Sequence, residues 1–369
     1  VFAPGVGLKN FTAIYRSTFR PTDSGAATFR VMTHGGVTLF LNGKQIAEAT
    51  NIKNHTNLYS FNYEAGKSYD IELRFIQVKD NPTLQFALAK QTTMDARDIL
   101  NKLKNADVVI FAGGISPLLE GESMRVSDPG FKGGDRTEIE LPAIQREVLA
   151  LLKKNGKKTV FVNFSGSAMA IVPETQSCDA ILQAWYPGQA GGTAVADVLF
   201  GDYNPAGRLP ITFYKSMQQL PDYEDYSMKG RTYRFMTETP LYPFGYGLSY
   251  TRFSYGKATL NQPKLNKGEK AILTIPVSNV GQRDGEEVVQ VYICRPDDKG
   301  GQQKTLRGFQ RVNIAKGKTQ NVNIELPYDS FEWFDTATNT IRPLSGTYKI
   351  LYGNSSNEND LQTCSIQIQ

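Results

Sequence analysis

Two glutamates stand one residue apart in the stretch GISPLLEGES, which occupies residues 114–123. Glu120 and Glu122 follow the apolar run VVIFAG, whose length and composition are typical of a buried strand. Carboxyl groups in such a position can donate and accept protons during bond cleavage, or attack a substrate directly. Spacing alone also allows a simpler interpretation, in which both are solvated side chains of a surface loop.

The position of this pair along the chain also allows a functional role. In open α/β sheets, ligands bind just beyond the carboxyl ends of the strands, and both glutamates fall there. The connection continues through Asp135 and Arg136 before a helical pattern begins, which is long for a link between a strand and its helix. Long connections in compact domains are usually either functional or disordered.

Other chemistries fit the sequence less well. Ser165 and Ser167 follow a strand in NFSGSAMA, but the GxSxG pattern is not met and no histidine lies in this part of the chain. The glycine-rich YPGQAGGTAVAD matches neither nucleotide-binding motif, so close helix packing is the better interpretation. His34 and His55 have no Cys or His partners at ligand spacing. We therefore expect no metal and no cofactor.

The composition is that of a soluble globular protein of two or three domains. The formal charge of +5 results from 41 basic and 36 acidic residues without a Lys/Arg block, which argues against nucleic acid as a partner. No apolar segment approaches the roughly 18 residues of a membrane span. Cys178, Cys294 and Cys364 are odd in number and far apart, so they imply neither a disulfide framework nor a metal cluster. The compartment and a pairing of Cys294 with Cys364 stay open.

The periodicity divides the chain into three regions. Residues 1–92 predict a small antiparallel sandwich, with alternation in SYDIELRF and a hairpin turn at Asn42-Gly43. Residues 93–256 contain short apolar runs that end in glycine and alternate with helical patterns, which predicts a parallel sheet between helices. Residues 257–369 return to the strand period and predict a second sandwich of the immunoglobulin or fibronectin type III kind.

Two helices are predicted in the middle region. The first begins near Pro142 and ends before Gly156. Its predicted apolar face consists of Leu141, Ile144, Val148, Leu151 and Leu152. The second lies in TAVADVLFG, where Thr193 is the predicted cap and Gly201 the predicted stop.

The order of motifs in the middle region resembles the C-terminal half of glycoside hydrolase family 3, the β-glucosidases and β-xylosidases. The matching pieces are ADVVIFAGG, LEGES with GGDRTEIELPAIQREVL, AWYPGQAGGTAVADVLFGDYNPAGRLPITF, and GRTYRF with LYPFGYGLSYTRFSY. The resemblance implies that 93–256 is the latter part of an α/β sandwich domain with a linker, and that 257–369 is a fibronectin type III-like domain. Residues 1–92 resemble the anthrax protective-antigen-like module that some members carry.

The resemblance also implies roles for the paired glutamates. Family members carry a general acid/base glutamate on this connection, usually followed by glycine and later by Asp-Arg. Glu122 stands at that position, although Ser123 replaces the glycine and an insertion separates it from Asp135. Glu120 matches the first glutamate of the E-x-E pattern of xylosidase-like members, and it is the reserve candidate.

The implied function is that of an exo-acting, retaining β-glycosidase that acts on β-linked oligosaccharides or glycosides. In this family the nucleophile is an aspartate on a (β/α)₈ barrel, and no stretch of this chain resembles that barrel. We therefore expect a fragment that lacks activity alone, from a periplasmic or secreted protein. The alternative is a non-catalytic carbohydrate-binding or accessory assembly.

The N-terminal module departs from its sugar-binding relatives in one respect. Versions of the module in adhesins hold calcium with an adjacent pair of aspartates. The comparable stretch here contains His34, Gly35 and Gly36 and no acidic residue. We expect the module to shape the rim of an active site or to pack against its neighbours, without calcium.

Overall fold

A computed structural model describes residues 9–77, 83–91, 95–120, 129–132, 135–298 and 300–369, together with positions 5 and 7. The chain divides into two compact units. The first consists of Val1–Asp107 and Ser116–Thr137, and the second consists of Val108–Ile115 and Glu138–Gln369. The residues around Glu120 therefore belong to the first unit, whereas the strand that precedes them belongs to the second.

Five antiparallel strands form the body of the first unit. They are β1 Phe11–Phe19, β2 Gly25–Leu41, β3 Lys44–Tyr63, β4 Tyr69–Gln77 and β5 Thr83–Gln91. The strand order is β1-β4-β2-β3, and β5 pairs with β2. Asn42 and Gly43 form the predicted turn, both with positive φ. The predicted alternation in β4 is also confirmed, with buried side chains at Tyr69, Ile71, Leu73 and Phe75.

The stretch His34-Gly35-Gly36 lies where β2 changes its partner. Residues up to His34 pair with β5, and residues from Gly36 onward pair with β4. A Cβ atom on Gly35, whose φ is +148°, would lie 2.7 Å from the ring of Phe75. Glycine therefore allows β2 to shift its register with β3 here. It also allows β2 to pass from pairing with β5 to pairing with β4.

A mixed segment follows the first five strands. Its elements are α1 Ala96–Lys102, β6 Val108–Gly114, α2 Pro117–Glu120, β7 Phe131–Lys132 and β8 Asp135–Arg136. The side chain of Asp95 caps α1, because its Oδ1 accepts hydrogen bonds from the backbone N–H groups of Arg97 and Asp98. The short strands β7 and β8 pair in antiparallel orientation.

The second unit contains the predicted parallel sheet. Its further elements are α3 Ala143–Lys154, β9 Lys158–Phe164, α4 Val172–Ser177, β10 Ala180–Gln183 and α5 Gly191–Phe200. The strand order is β10-β9-β6, and both pairings are parallel. Buried Phe161 and Val162 lie on the central strand β9.

Both helix predictions need a correction. Leu141 and Leu152 are buried as predicted, and Val148 and Leu151 are partly buried, but Ile144 is 52% exposed and Leu149, which the prediction left out, is buried. Positions 145, 149 and 152 share one stripe of a 3.6-residue helix, so the predicted face is wrong at Ile144 and omits Leu149. In α5 the helix begins at Gly191 and Thr193 is not its cap, whereas Gly201 ends it with φ +82° as predicted.

Two packed sheets form the C-terminal sandwich, after the short helix α6 Thr232–Phe235. The strands are β11 Phe253–Tyr255, β12 Thr259–Leu260, β13 Lys264–Leu265, β14 Lys270–Asn279, β15 Gly285–Cys294, β16 Thr305–Ile314, β17 Thr319–Pro327, β18 Glu332–Asp335, β19 Thr340–Pro343, β20 Gly346–Gly353 and β21 Gln362–Ile368. One sheet has the order β11-β14-β12 with β17 paired to β14, and the other has the order β13-β21-β20-β15-β16, while β18 and β19 pair only with each other. Val322, Ile324 and Leu326 point into the core as predicted.

The three cysteines are free. Cys294 lies on β15 and Cys364 on β21, and β20 runs between these two strands. Burial raises the pKa of the Cys364 thiol to about 11, which keeps it in the unreactive thiol form near neutral pH. Cys294 and Cys364 form no disulfide bond with each other in this structure.

A buried cluster joins the sandwich to the preceding linker. Arg208 donates to Glu287 on β15 over 2.7 Å, and both side chains are less than 10% exposed, at 7% and 2%. Gln290, also on β15, donates to the carbonyl oxygen of Gly245 over 3.0 Å. Gly245, with φ +79°, has no room for a Cβ atom, which would lie 1.9 Å from Gln290 Oε1. These four residues are called the junction cluster below.

Candidate functional site at the carboxyl edge of the parallel sheet

The last two residues of β6 are glycines, and each is needed for a different reason. Gly114 has φ +120°, and a Cβ atom there would lie 2.0 Å from the carbonyl oxygen of Phe164. A Cβ atom on Gly113 would lie 2.5 Å from Oε1 of Gln145. Gly114 therefore allows close approach to β9, and Gly113 allows close approach of a side chain from α3.

That side chain binds the backbone of Gly114 at two points. Oε1 of Gln145 accepts from the N–H of Gly114 over 2.7 Å, and Nε2 donates to its carbonyl oxygen over 2.8 Å. Gln145 occupies the same helical stripe as Leu149 and Leu152, which directs it toward the sheet. Its amide thus bonds an edge residue of β6 as a neighbouring strand would.

A chain of polar groups lies beside these residues at the ends of β9 and β10. Asn163 Nδ2 donates to Gln183 Oε1 over 2.7 Å, and Gln183 Nε2 donates to Ser165 Oγ over 3.0 Å. Ser165 in turn donates to the carbonyl oxygen of Ser167. Ser165 is fully buried and its hydroxyl is engaged in this chain, so it is placed as a structural group and not as an exposed nucleophile.

One acceptor among these polar groups has no hydrogen-bond partner within the part of the protein that the structure describes. It is Oδ1 of Asn163, a fully buried side chain. A Cβ atom on Gly114 would lie 2.8 Å from this oxygen. The missing side chain of Gly114 therefore also leaves space around a polar atom.

An ion pair joins α3 to α4. Arg146 Nε lies 3.2 Å from Glu174 Oε1 on α4, and their side chains are 29% and 1% exposed. Arg146 also donates through Nη2 to the carbonyl oxygen of Ala170. Burial raises the pKa of Glu174 above its ordinary value, and the charge of Arg146 only partly opposes this. Gly114, Gln145, Arg146 and Glu174 are called the edge cluster below.

The structure describes only one of the two candidate glutamates, Glu120. Glu120 is the last residue of α2, where its N–H donates to the carbonyl oxygen of Ser116 over 2.9 Å, and its side chain is partly buried. Glu122 lies outside the described residues, as does Ser123. The structure therefore places the start of the connection at Gly114 and its end near α3, but it gives no position for the preferred acid/base candidate.

A cleft of about 490 Å³ on the first unit also contains carboxylates. Asp70 accepts a hydrogen bond from Thr18, and Glu72 accepts from both Arg16 and Arg74. These bonds to two guanidinium groups lower the pKa of Glu72 below its usual range. A general acid near neutral pH needs the opposite shift, so this cleft is poorly suited to proton donation.

Within the described ranges, no group of three or more His, Cys, Asp or Glu side chains could hold a metal ion. Over the same part of the chain, no helix is both long and apolar enough to cross a membrane.

Sequence reasoning missed Gln145. Its position contains a usable signal, because it is the polar member of the stripe that also includes Leu149 and Leu152. A polar side chain on the buried face of a helix needs a partner there, and two consecutive glycines end the neighbouring strand. The predicted apolar face contains Ile144 and not Leu149, and this hid the signal.

With this fold and this edge in place, two family models match the chain. The Glycosyl hydrolase family 3 C-terminal domain matches residues 22–250, and the Fibronectin type III-like domain matches residues 287–356. The chain therefore belongs to glycosyl hydrolase family 3, and the resemblance seen in the sequence is confirmed. The boundaries 1–92, 93–256 and 257–369, and the anthrax protective-antigen type of the first module, stay predictions.

Similar proteins are glycosidases. A xylan 1,4-beta-xylosidase of Xylanibacter ruminicola is 49% identical over 100% of this chain, which covers 42% of that protein. A periplasmic beta-glucosidase of Salmonella typhimurium is 36% identical over 63% of this chain and 31% of that protein. The chain thus spans less than half the length of these relatives.

The same fold occurs in solved structures. One is the crystal structure of a beta-glucosidase from Kluyveromyces marxianus in complex with glucose. The match covers 97% of this chain and 45% of the Kluyveromyces chain, with a TM-score of 0.77 and 24% sequence identity. This likeness extends over the first module, the parallel sheet and the sandwich.

Proposed function

We propose that this chain is the part of a retaining, exo-acting β-xylosidase that supplies the general acid/base glutamate. The observation that carries the proposal is the 49% identity to a xylan 1,4-beta-xylosidase over the whole length of this chain. Relatives named as β-glucosidases keep glucosides as the second substrate class. As one of these relatives is periplasmic, we also propose a periplasmic or secreted location.

The proposed acid/base group is Glu122, with Glu120 in reserve. A retaining glycosidase needs one carboxylic acid to protonate the leaving oxygen and a second carboxylate, roughly 5–5.5 Å away, to attack the anomeric carbon. We assign the attack to an aspartate of a barrel domain in the full-length enzyme. The same Glu122 would then remove a proton from water when the glycosyl-enzyme is hydrolysed. This two-carboxylate chemistry uses no metal or cofactor.

The long connection after β6 supports this division of labour. It leaves the carboxyl edge of the parallel sheet, which is where ligands bind in open α/β sheets. Its length allows a glutamate from this chain to reach a sugar that is held mainly by another domain. The other carboxylates on the way, including Asp135 in β8, belong to the same connection.

The test compares Glu122→Gln with Glu120→Gln in the full-length enzyme. Glu122→Gln should lower kcat/KM by about 10²–10⁴-fold on alkyl or xylobiose substrates, whose poor leaving groups need a proton. Dinitrophenyl β-xyloside needs little protonation and should lose much less. Equal losses on both substrates would reject Glu122 as the acid, and a selective loss in Glu120→Gln alone would transfer the role to the reserve candidate.

The chain by itself should not hydrolyse nitrophenyl β-xyloside or β-glucoside above a Glu122→Ala control. Catalysis needs a nucleophile held at a fixed separation from the acid, and the proposed nucleophile is on another domain. Turnover above the control would mean that the nucleophile lies within these residues. Binding of xylo-oligosaccharides with no effect of Glu122→Gln in the full-length enzyme would favour the accessory, carbohydrate-binding alternative.

A further inference from the structure

The amide of Gln145 holds together the two ends of the connection that contains Glu120 and Glu122. One end is Gly114, the last residue of β6, and the other is the first turn of α3. The two hydrogen bonds of 2.7 and 2.8 Å join these ends directly. The exit of β6 and the first turn of α3 are thus joined through one side chain.

The geometry makes this anchor specific. Two hydrogen bonds from one planar amide to the N–H and C=O of a single residue fix orientation as well as distance. Gly114 is further held because the N–H of Ile115 donates to the carbonyl oxygen of Phe164 over 2.8 Å. Gly113 lacks the Cβ atom that would otherwise collide with Oε1 of Gln145. Three consecutive residues are thus arranged around this one contact.

The choice of residue at position 145 also needs an explanation beyond packing. The stripe that contains Leu149 and Leu152 faces the sheet, and a leucine at 145 would bury more apolar surface there. A glutamine gives up that burial and in return bonds the exit of β6. A residue that only packed α3 against the sheet would have no use for both polar atoms.

We propose that Gln145 is a positioning residue for the acid/base glutamate of this family 3 chain. It acts through Gly114, by setting where the connection leaves the sheet and returns to it. The inference rests on the proposed function, in which that connection carries the acid. Proton transfer to the leaving oxygen depends steeply on geometry, and a misplacement of about 1 Å can cost on the order of 10²-fold in rate.

The experiment uses the full-length enzyme with Gln145→Leu, Gln145→Glu and the matched control Glu147→Gln. Glu147 is exposed on the same helix two residues away. The measurement is kcat/KM for aryl and alkyl β-xylosides over a range of leaving-group pKa. Gln145→Leu should lose about 10–100-fold on the poorest leaving groups and less than about 3-fold on dinitrophenyl β-xyloside, mainly in kcat. Glu147→Gln should change neither.

Gln145→Glu provides the second variant if Gln145→Leu does not fold. Its carboxylate can still accept from the N–H of Gly114 but cannot donate to the carbonyl oxygen, so it should show the same selectivity. A melting curve for each variant establishes folding. An equal loss on all substrates, or no loss, would overturn the positioning role.

The Glu122→Gln series separates the two proposals. If Glu122→Gln is selective for poor leaving groups and the Gln145 variants are not, only the positioning role fails. If Glu122→Gln and Glu120→Gln are both unselective, the proposed function fails and the positioning role fails with it. Selectivity in both Glu122→Gln and Gln145→Leu supports both.

Discussion

The edge cluster and the junction cluster are built from the same two devices. Each has a glutamine amide bound to a glycine with positive φ, Gln145 on Gly114 and Gln290 on Gly245. Each also has a glutamate buried to within 2% exposure and paired with an arginine. They differ in how much water reaches the partner groups.

The junction cluster is dry and the edge cluster is not. Arg208 at the junction is 7% exposed, whereas Arg146 at the edge is 29% exposed. The two ion-pair distances, 2.7 and 3.2 Å, follow the same order. Gln290 also bonds groups from three places, since it donates to Asn354 O and accepts from the hydroxyl of Tyr292 in addition to its bond to Gly245.

This difference suggests different roles. A dry network joined to several elements resists any movement, because each broken bond leaves a buried polar group without water. That suits the permanent attachment of the linker to the sandwich. At the edge, Gln145 uses both its polar atoms on one residue, so its effect is concentrated on the exit of β6. Loss of the junction cluster should be seen in stability, and loss of the Gln145 bonds should be seen in catalysis.

The largest stability effect is expected at the junction. Glu287→Ala leaves the guanidinium of Arg208 buried without its carboxylate, and it should lower the free energy of unfolding by about 3–5 kcal/mol. Glu174→Ala at the edge should cost less, about 1–3 kcal/mol, because Arg146 still reaches water and keeps its bond to Ala170. Urea denaturation of both variants measures the difference.

A double variant serves as the control for this prediction. Arg208→Met combined with Glu287→Leu removes both charges and should recover most of the loss, since apolar replacement of a buried pair is often neutral. If Glu174→Ala proves as damaging as Glu287→Ala, the distinction between a dry junction and a wetter edge is wrong.

The glycines give the next largest effect. Gly245→Ala must adopt φ near +79° and must displace the buried Gln290, which together should cost about 2–5 kcal/mol. Gly268 has a similar φ of +86° with nothing within 4 Å, so Gly268→Ala should cost only the backbone strain of about 1–2 kcal/mol. Thermal or chemical unfolding of both variants tests this, and equal costs would show that the bond to Gln290 contributes nothing.

The fold was largely predictable from the sequence because its signals are periodic. Alternation in Val322-Ile324-Leu326 and in β4 led directly to the sandwiches, and runs ending in glycine led to the parallel sheet. The helix ends were predictable where a glycine takes positive φ, as at Gly201. The start of α5 was not, because no capping side chain is used there and the helix begins at Gly191 instead of Thr193.

The candidate site was predictable only as a location. The strand end and the paired glutamates marked the connection, but Glu122 lies outside the described residues and its role stays a prediction. Gln145, Arg146 and Glu174 were not found because their partners come from other elements. Such contacts depend on which face of α3 meets the sheet, and Ile144 had been assigned to that face although it is exposed. Pairings between distant segments leave no local pattern in a single sequence.

The smallest effect expected is a pH dependence at the edge. Burial raises the pKa of Glu174 in the folded protein above that of the unfolded chain, which is about 4.3. Above that pH the unfolded state has released a proton that the native state still holds, so stability falls as pH rises from there through the folded pKa. Glu174→Gln has no proton to lose at this position. The Tm of Glu174→Gln minus that of the wild type should therefore rise between pH 4 and pH 7, and this rise should be smaller than the change in Tm that Glu287→Ala causes.

The matched control is Glu147→Gln, which removes one exposed charge from the neighbouring helix α3. A difference that falls over this range would mean that the charge of Arg146 outweighs burial and that the pair at the edge resembles an ordinary stabilising ion pair.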